Sequence, residues 1–478
     1  MGTRESEGCV GALTSGNAVA CGPGRAKAAR AGVSLRWGNM TDASTEEFMS
    51  TSLLRVVERA RREPEGRFHS LAHRIDVPAL ERAFHRLRTD AAVGVDGVSK
   101  AAYGQALEAN LEDLHRRLKT KRYRHQALRR VHIPKGGGRT RPIGISAVED
   151  KIVQGAVREV LEAVYEQDFL ECSYGFRPGR GAHDAIRALN RAVYQGKVSW
   201  ILEADIESFF DSVDRTKLEE MLRIRVLDGS LRRLVGKCVR VGVLDGEERT
   251  EPERGTAQGS GLSPLLGNVY LHYTLDVWFE REVRPRLRGE AVLVRYCDDF
   301  VIGFERREDA QRVAAVLGKR MERFGLRLHP EKTRLIAFER PGAGQRDGKG
   351  PGTFEFLGFT MYWRRTRRGH WQMGCKTRSK GLRRFIGTVA EWCRRHRHLP
   401  VKAQHAALKR RLDGHFNYFG VNGNYHSLTR VVRATQRVWF TWLRRRSQRT
   451  RLTWERYKRM LARFPLPRPR VVVRIWAV

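Results

Sequence analysis

The stretch AVLVRYCDDFVIGF, Ala291 to Phe304, constrains this chain more than any other. Apolar and β-branched residues stop for Asp298 and Asp299 and then resume, the pattern of two strands joined by a tight turn. Strands of this composition belong inside a sheet, so both carboxylates must lie where the sheet turns. Aspartate is an ordinary turn residue, and a plain hairpin is one reading. The other is chemical: a turn is where carboxylates can be held rigidly beside a substrate.

A second acidic strand end lies upstream. In WILEADIESFFDSVD (200–214), Trp200, Leu202 and Ala204 alternate with Ile201, Glu203 and Asp205, which puts Asp205 at the end of a strand. One carboxylate from this strand and two from the hairpin are the set that holds two magnesium ions, roughly 3.5–4 Å apart, for phosphoryl transfer. Magnesium is bound by few carboxylates together with substrate phosphate oxygens, which suits such a set.

The charge balance asks for an anionic partner. The 478 residues carry 91 Lys and Arg against 53 Asp and Glu, a net +38, far beyond an ordinary soluble enzyme. Residues 361–478 hold 31 of the basic residues against only Glu391, Asp413 and Glu455, a surplus of 28; the remainder has 60 basic against 50 acidic. Trp371, Trp392, Trp439, Trp442 and Trp454 lie among those cations. Cations for phosphates and flat rings for bases are what a nucleic-acid surface needs. An anionic membrane is the rival reading, yet no apolar stretch approaches the ~20 residues of a spanning helix. The seven cysteines are scattered without a C-x-x-C pair, which argues against a zinc site or disulfide scaffold and for a reducing compartment.

Periodicity divides the chain. Residues 1–48, rich in Gly, Ala and Ser, read as a disordered tail. Helical patterns follow at 76–89, 101–118, 148–165 and 308–325, and strand patterns at 127–146, 200–205, 291–304 and 352–363. Beyond about 380 the chain reads as all helix, ending in a Pro-broken basic segment, 461–478.

The blocks IPKGGGRTRPIGI, CSYGFRPGRGAHDAI, ADIESFFDSVD, QGSGLSPLLGNVYL, YCDDF, GLRLHPEKT and FEFLGF stand in this order. In that order they resemble reverse transcriptases, and the finer pattern resembles the group II intron-encoded reverse transcriptase/maturases. GVDGV (94–98) and the helical LKRRLDGHFNYFGVNGN (408–424) add to the likeness, which covers about 50–478.

The resemblance implies an α/β (α+β) right-hand polymerase fold: fingers and palm over 49–378 with an antiparallel palm sheet, then an all-α thumb/maturase domain over 379–460. Residues 461–478 would be a short DNA-binding remnant. Asp205, Asp298 and Asp299 match the catalytic, metal-binding aspartates, with the Ile206 backbone beside the metal and triphosphate. Two Mg2+ ions are the implied cofactor, with Mn2+ as an alternate. Lys135, Arg141, Phe210, Gln258 and Lys332 match nucleotide-binding positions, Phe210 being the aromatic that excludes a 2′-hydroxyl. Tyr296, Cys297, Leu357 and Gly358 match primer and template contacts. Arg410, Arg411, His415, Tyr418, Arg444 and Arg445 are the expected RNA contacts. Cys297 stands where the family often has Ala, and Ser260 follows Gly259 where the family often has a second Gly.

The implied partners are group II intron RNA, a DNA target and primer, and dNTPs, with no membrane. The implied setting is the bacterial cytoplasm, as a nucleoid-associated ribonucleoprotein. No C-terminal nuclease with cysteine pairs is expected. Two other readings stay open: a host reverse transcriptase in repair or defence with no intron, and a splicing-only RNA-binding protein.

Overall fold

A computed structural model describes residues 50–136, 139–245, 248–250, 255–256, 259–342, 352–366, 368–447 and 452–476. The expected tail, 1–48, lies outside them.

Helices α1 (Thr51–Arg62) and α2 (Val77–Arg86) bury one face each, Leu53, Val56, Val57 and Ala60 on the first and Ala79, Leu80, Ala83 and Phe84 on the second. The Asp76 side chain caps α2 by accepting from the Ala79 N–H at 2.9 Å. Both helices, and α3 (Leu107–Lys119) through α2, pack toward α4 (Val148–Tyr165). The last carries apolar residues nearly all round: Ile152, Val153, Ala156, Val157, Val160, Leu161 and Val164 are fully buried, as a helix of that pattern must be.

Strands β1 (Leu128–Gly136) and β2 (Arg139–Ile145) form the hairpin expected over 127–146. A further hairpin, β4 (Val243–Asp245) with β5 (Glu248–Thr250), extends it to the order β2-β1-β4-β5. These strands follow α6 (Arg215–Arg225) and α7 (Gly229–Val239). They are three residues each, too short for a periodic signal in the sequence.

The central sheet has the order β6-β7-β3-β8, antiparallel throughout, from β3 (Trp200–Asp205), β6 (Ala291–Tyr296), β7 (Asp299–Phe304) and β8 (Arg334–Ala337). Its period-2 alternation separates two cores. Leu202, Ala204, Leu293, Phe300, Ile302 and Phe304 join the large core with α1, α2, α4, α8 (Ser263–Leu271) and α9 (Arg307–Arg323). Ile201, Val294, Tyr296 and Val301 join a second core with α5 (Ala182–Gln195) and the sheet β9 (Phe354–Phe356), β10 (Phe359–Arg365) and β11 (Trp371–Thr377).

The C-terminal helices α10 (Ser379–Arg395), α11 (Val401–Phe419), α12 (Tyr425–Arg444) and α13 (Trp454–Arg463) build a third core around Leu408, Leu412, Phe416, Val431 and Trp439. The Pro-broken end does not project from the molecule. Val473 bridges to Val421, and Ile475 and Trp476 are buried in the second core. The Ile475 N–H donates to the Asn422 Oδ1 at 2.9 Å, and the Arg187 Nε donates to the Arg474 carbonyl at 3.0 Å.

Candidate active site

The hairpin does bring the separated carboxylates together. In the register of β3 and β7, Asp205 lies directly opposite Asp299, and in that of β6 and β7 Tyr296 lies opposite Asp299. Directly opposite residues of an antiparallel pair share a face, with Cβ atoms about 4.5–5.5 Å apart. Asp205, Asp299 and Glu203 therefore stand on the same side of the sheet, and Asp298 is at the tip of the hairpin.

Like charges directly opposite destabilise a sheet, so this pairing needs cations. Lys332 supplies one through an ion pair with Asp205. Arg334 supplies another to Glu203, at 2.7 Å. A divalent cation would remove the rest of the repulsion, and the donors fit one: hard carboxylate oxygens on a rigid mount. Among the described residues no three His, Cys, Asp or Glu side chains form a ready-made metal cage. The fit is that of magnesium, held by one or two carboxylates and completed by substrate phosphates and water. Asp205 and Asp299 would hold the metal, with Asp298 beside them. Ile206 follows the end of β3 and bridges to Leu328, between the bonds Glu207 N–H to Arg327 O and His329 N–H to Asp205 O, both 2.8 Å.

The tip is held from behind by a network the sequence reading did not name. Arg295 projects to the other face of β6 and is completely buried, with Asp276. Its Nε donates to one Asp276 oxygen at 2.7 Å and an Nη to the other at 2.5 Å. The remaining donors reach the Asn268 Oδ1 at 3.0 Å, the Ser173 Oγ at 2.7 Å and the Cys297 carbonyl at 3.2 Å. Burial alone would lower the arginine's pKa, but the Asp276 charge wins and raises it. Asp276 ends a π-helical turn, His272–Asp276, that continues α8. One signal was readable: an arginine at a core-facing strand position requires a buried carboxylate.

Gly175 completes this support. A Cβ there would stand 2.2 Å from the Cys297 Sγ and 2.6 Å from the Cys297 backbone N. The Asn268 Nδ2 donates to the Gly175 carbonyl at 2.7 Å. So the block CSYGF rests directly against the hairpin tip. Of the five described non-glycine residues with left-handed backbones, Cys297 is at the hairpin tip (φ 59°), Phe176 follows Gly175 (φ 59°), Ser208 follows β3 (φ 43°) and Leu357 is in the β9–β10 turn (φ 51°). Such conformations cost of order 1–3 kcal/mol each and gather at functional sites.

Phe210 lies in a short helical turn, Phe209–Ser212, and is 6% exposed. Its ring packs edge-on against Phe209, with centroids 5.1 Å apart. Lys135 lies on β1 and Arg141 on β2, where Arg141 pairs with Ile133; their side chains are outside the described residues. Gln258 is also outside them. The next residue, Gly259, has φ 114°, and a Cβ there would be 2.4 Å from the Gly144 carbonyl. This seats the loop against β2.

Leu357 and Gly358 form the turn between β9 and β10. The Tyr418 hydroxyl donates to the Leu357 carbonyl at 2.8 Å, and the His183 Nε2 is 2.8 Å from the Tyr418 carbonyl. Tyr418 thus joins α11 to this turn, where it was expected on an RNA surface. His415 corrects the same expectation. It is 6% exposed and wedged between Phe385 and Phe419, with ring centroids 4.3 and 4.7 Å away, so it offers no face to RNA. Arg411 lies over the Trp392 ring at 4.5 Å. Arg410, Arg444 and Arg445 are exposed, the last two over Phe440 and Trp442.

Comparison with known proteins matches this architecture. A family model described as "Reverse transcriptase (RNA-dependent DNA polymerase)" matches residues 133–361. Protein YkfC of Escherichia coli (strain K12) is 31% identical over 329 residues, 62% of this chain and 82% of that protein. Group II intron-encoded protein LtrA of Lactococcus lactis subsp. cremoris is 32% identical over 215 residues, 44% of this chain and 36% of LtrA. An uncharacterized 91 kDa protein in a cob intron of Schizosaccharomyces pombe is 34% identical over 199 residues, 41% of this chain and 24% of that protein.

Proposed function

This chain belongs to the reverse transcriptase family, and we propose that it copies RNA into DNA by two-metal nucleotidyl transfer at Asp205, Asp298 and Asp299, as the protein of a group II intron. The observation that carries this is the cross-strand pairing of Asp205 with Asp299 beside the Asp298 tip. A bound metal supplies the Lewis acid that stabilises the phosphoryl-transfer charge. The chain's own residues orient it. The β3–β7 register fixes the carboxylates, Lys332 balances Asp205, and the buried Arg295 network keeps the tip still.

In this reading β1, β2 and α4 form the fingers, the central sheet the palm, and α10–α13 the thumb. The turn at Leu357 and Gly358 grips the primer, and Lys135, Arg141 and Gln258 meet the incoming nucleotide. Mg2+ is the working ion, with Mn2+ as a substitute. The exposed Arg410, Arg444 and Arg445, with the basic C-terminal surplus, take intron RNA and so assist splicing. An intron-encoded protein among the relatives supports that part. The alternative, a host reverse transcriptase without an intron, is separated by the flanking DNA: a catalytic intron RNA beside the gene supports the first reading, and its absence the second.

Primer extension on an RNA template with dNTPs and Mg2+ tests the activity directly. Phe210→Val should widen the nucleotide site and admit ribonucleotides, read as a lower ratio of dNTP to rNTP incorporation in the same assay. An unchanged ratio would place Phe210 in the core alone.

A further inference from the structure

Helix α7 is amphipathic in an unusual sense. Leu231, Val235, Cys238 and Val239 face the core. Gly229, Arg232, Arg233, Gly236, Lys237 and Arg240 recur at i, i+3, i+4, i+7, i+8 and i+11, a single stripe on the opposite side. From Arg232 to Arg240 this stripe runs about 12 Å at 1.5 Å per residue.

The stripe forms the floor of an open groove of about 700 Å³, walled by Arg124 before β1 and Arg223 at the end of α6. Among the described residues six cations line it against one carboxylate, Glu219, which Arg232 engages at 2.5 Å and Arg223 at 3.5 Å. Lys237 donates to the Tyr123 carbonyl at 2.5 Å. Arg124, Arg233 and Arg240 point into exposed space. An adjoining cleft reaches Arg215, whose pKa is lowered by burial and then by the neighbouring Arg240 charge. Six groove-lining cations, three of them exposed, are arranged for an anion.

The shape says which anion. A small phosphate ligand would want convergent donors in an enclosed pocket. Here the cations follow a line, and the glycines at 229 and 236 leave the floor low between them, so a chain of phosphates can lie along it. We propose that the α6–α7 groove is a second nucleic-acid site, binding the phosphate backbone of a single strand outside the polymerase cleft. The groove shares no residue with the aspartate hairpin. The inference adds to the proposed function a second foothold for the nucleic acid, and it holds whether or not the aspartates polymerise.

The test compares the full chain with a variant carrying Arg124→Ala, Arg233→Ala and Arg240→Ala, all at exposed positions. Binding to poly(U) and to poly(dT) is titrated against salt, and extension of a short hairpin primer-template is measured in parallel. Each lost phosphate contact on a single strand makes the slope of log affinity against log salt shallower by about 0.7, so about 2 for three. The variant should show that loss while extension of the hairpin at saturation is unchanged. A loss confined to one polymer names the strand type. The matching Arg→Lys triple variant should keep the wild-type slope, because phosphate attraction needs charge. An unchanged slope in the alanine variant overturns the proposal, and so does a lysine variant that loses as much as the alanine one. Failure of wild-type hairpin extension would count against the polymerase reading and leave the groove's result standing.

Discussion

Arg295 shows what a single residue contributes to the site without touching substrate. Its guanidinium is fully buried and shared between Asp276, Asn268, Ser173 and the Cys297 carbonyl. Removing one partner of a buried pair leaves the other charged and unsolvated, at a cost of about 3–5 kcal/mol. Arg295→Met should lose that much stability in urea denaturation, whereas Arg295→Met with Asp276→Leu should lose much less. Equal losses in the two would mean the pair is not the source. Gly175→Ala tests the other support. Its Cβ would press on the Cys297 sulfur and backbone N, so RNA-templated synthesis should fall steeply while RNA affinity stays. Adding Cys297→Ala should restore little, because the 2.6 Å approach to the backbone N remains. At this scale the sequence was half legible. Asp205, Asp298 and Asp299 could be read from strand ends only together with the ordered blocks around them, since aspartate in a turn is ordinary by itself. Gly175 and Asp276 could not, because their roles depend on which segments the fold lays against the hairpin.

Elements of regular period were the readable ones. The pattern over 148–165 is α4, and the alternation at 200–205 is β3. The short β4 and β5 and the π-helical turns after α8 carry no such period and were missed. Helix α11 also misled: a histidine and a tyrosine in a basic helix looked like RNA contacts, but helical spacing turns both inward. That burial has a measurable consequence. The desolvated His415 has its pKa lowered from 6.5 to about 4. The unfolded chain therefore takes up a proton first as pH falls. The histidine's contribution is fully present above pH 6.5 and is lost between 6.5 and 4, by about 3 kcal/mol. His272, also lowered to about 4 by burial, acts in the same direction, so the comparison must be between variants. His415→Phe should flatten the fall of Tm over this window relative to wild type. Parallel curves would show that His415 does not titrate as its burial requires.

The whole molecule joins a cluster of carboxylates to a positive body. Carboxylates face one another across β3 and β7, while the chain as a whole carries +38. In the proposed function the basic surplus holds nucleic acid and the aspartates hold the metal, so binding and synthesis are separable properties. The C-terminal end, which the resemblance makes a short DNA-binding remnant, packs into the second core through Ile475 and Trp476. Composition reports charge but not where the chain returns to pack. The order of the blocks was the most legible feature of all, because one topology brings those strand ends and turns together. The direct measurement of whether binding and synthesis separate is RNA-templated cDNA synthesis and RNA affinity on one preparation of Asp298→Ala with Asp299→Ala. Synthesis should be abolished, and affinity for RNA, with its salt dependence, should stay at the wild-type value. Synthesis that survives, or RNA binding that is lost in a still folded protein, would contradict that separation.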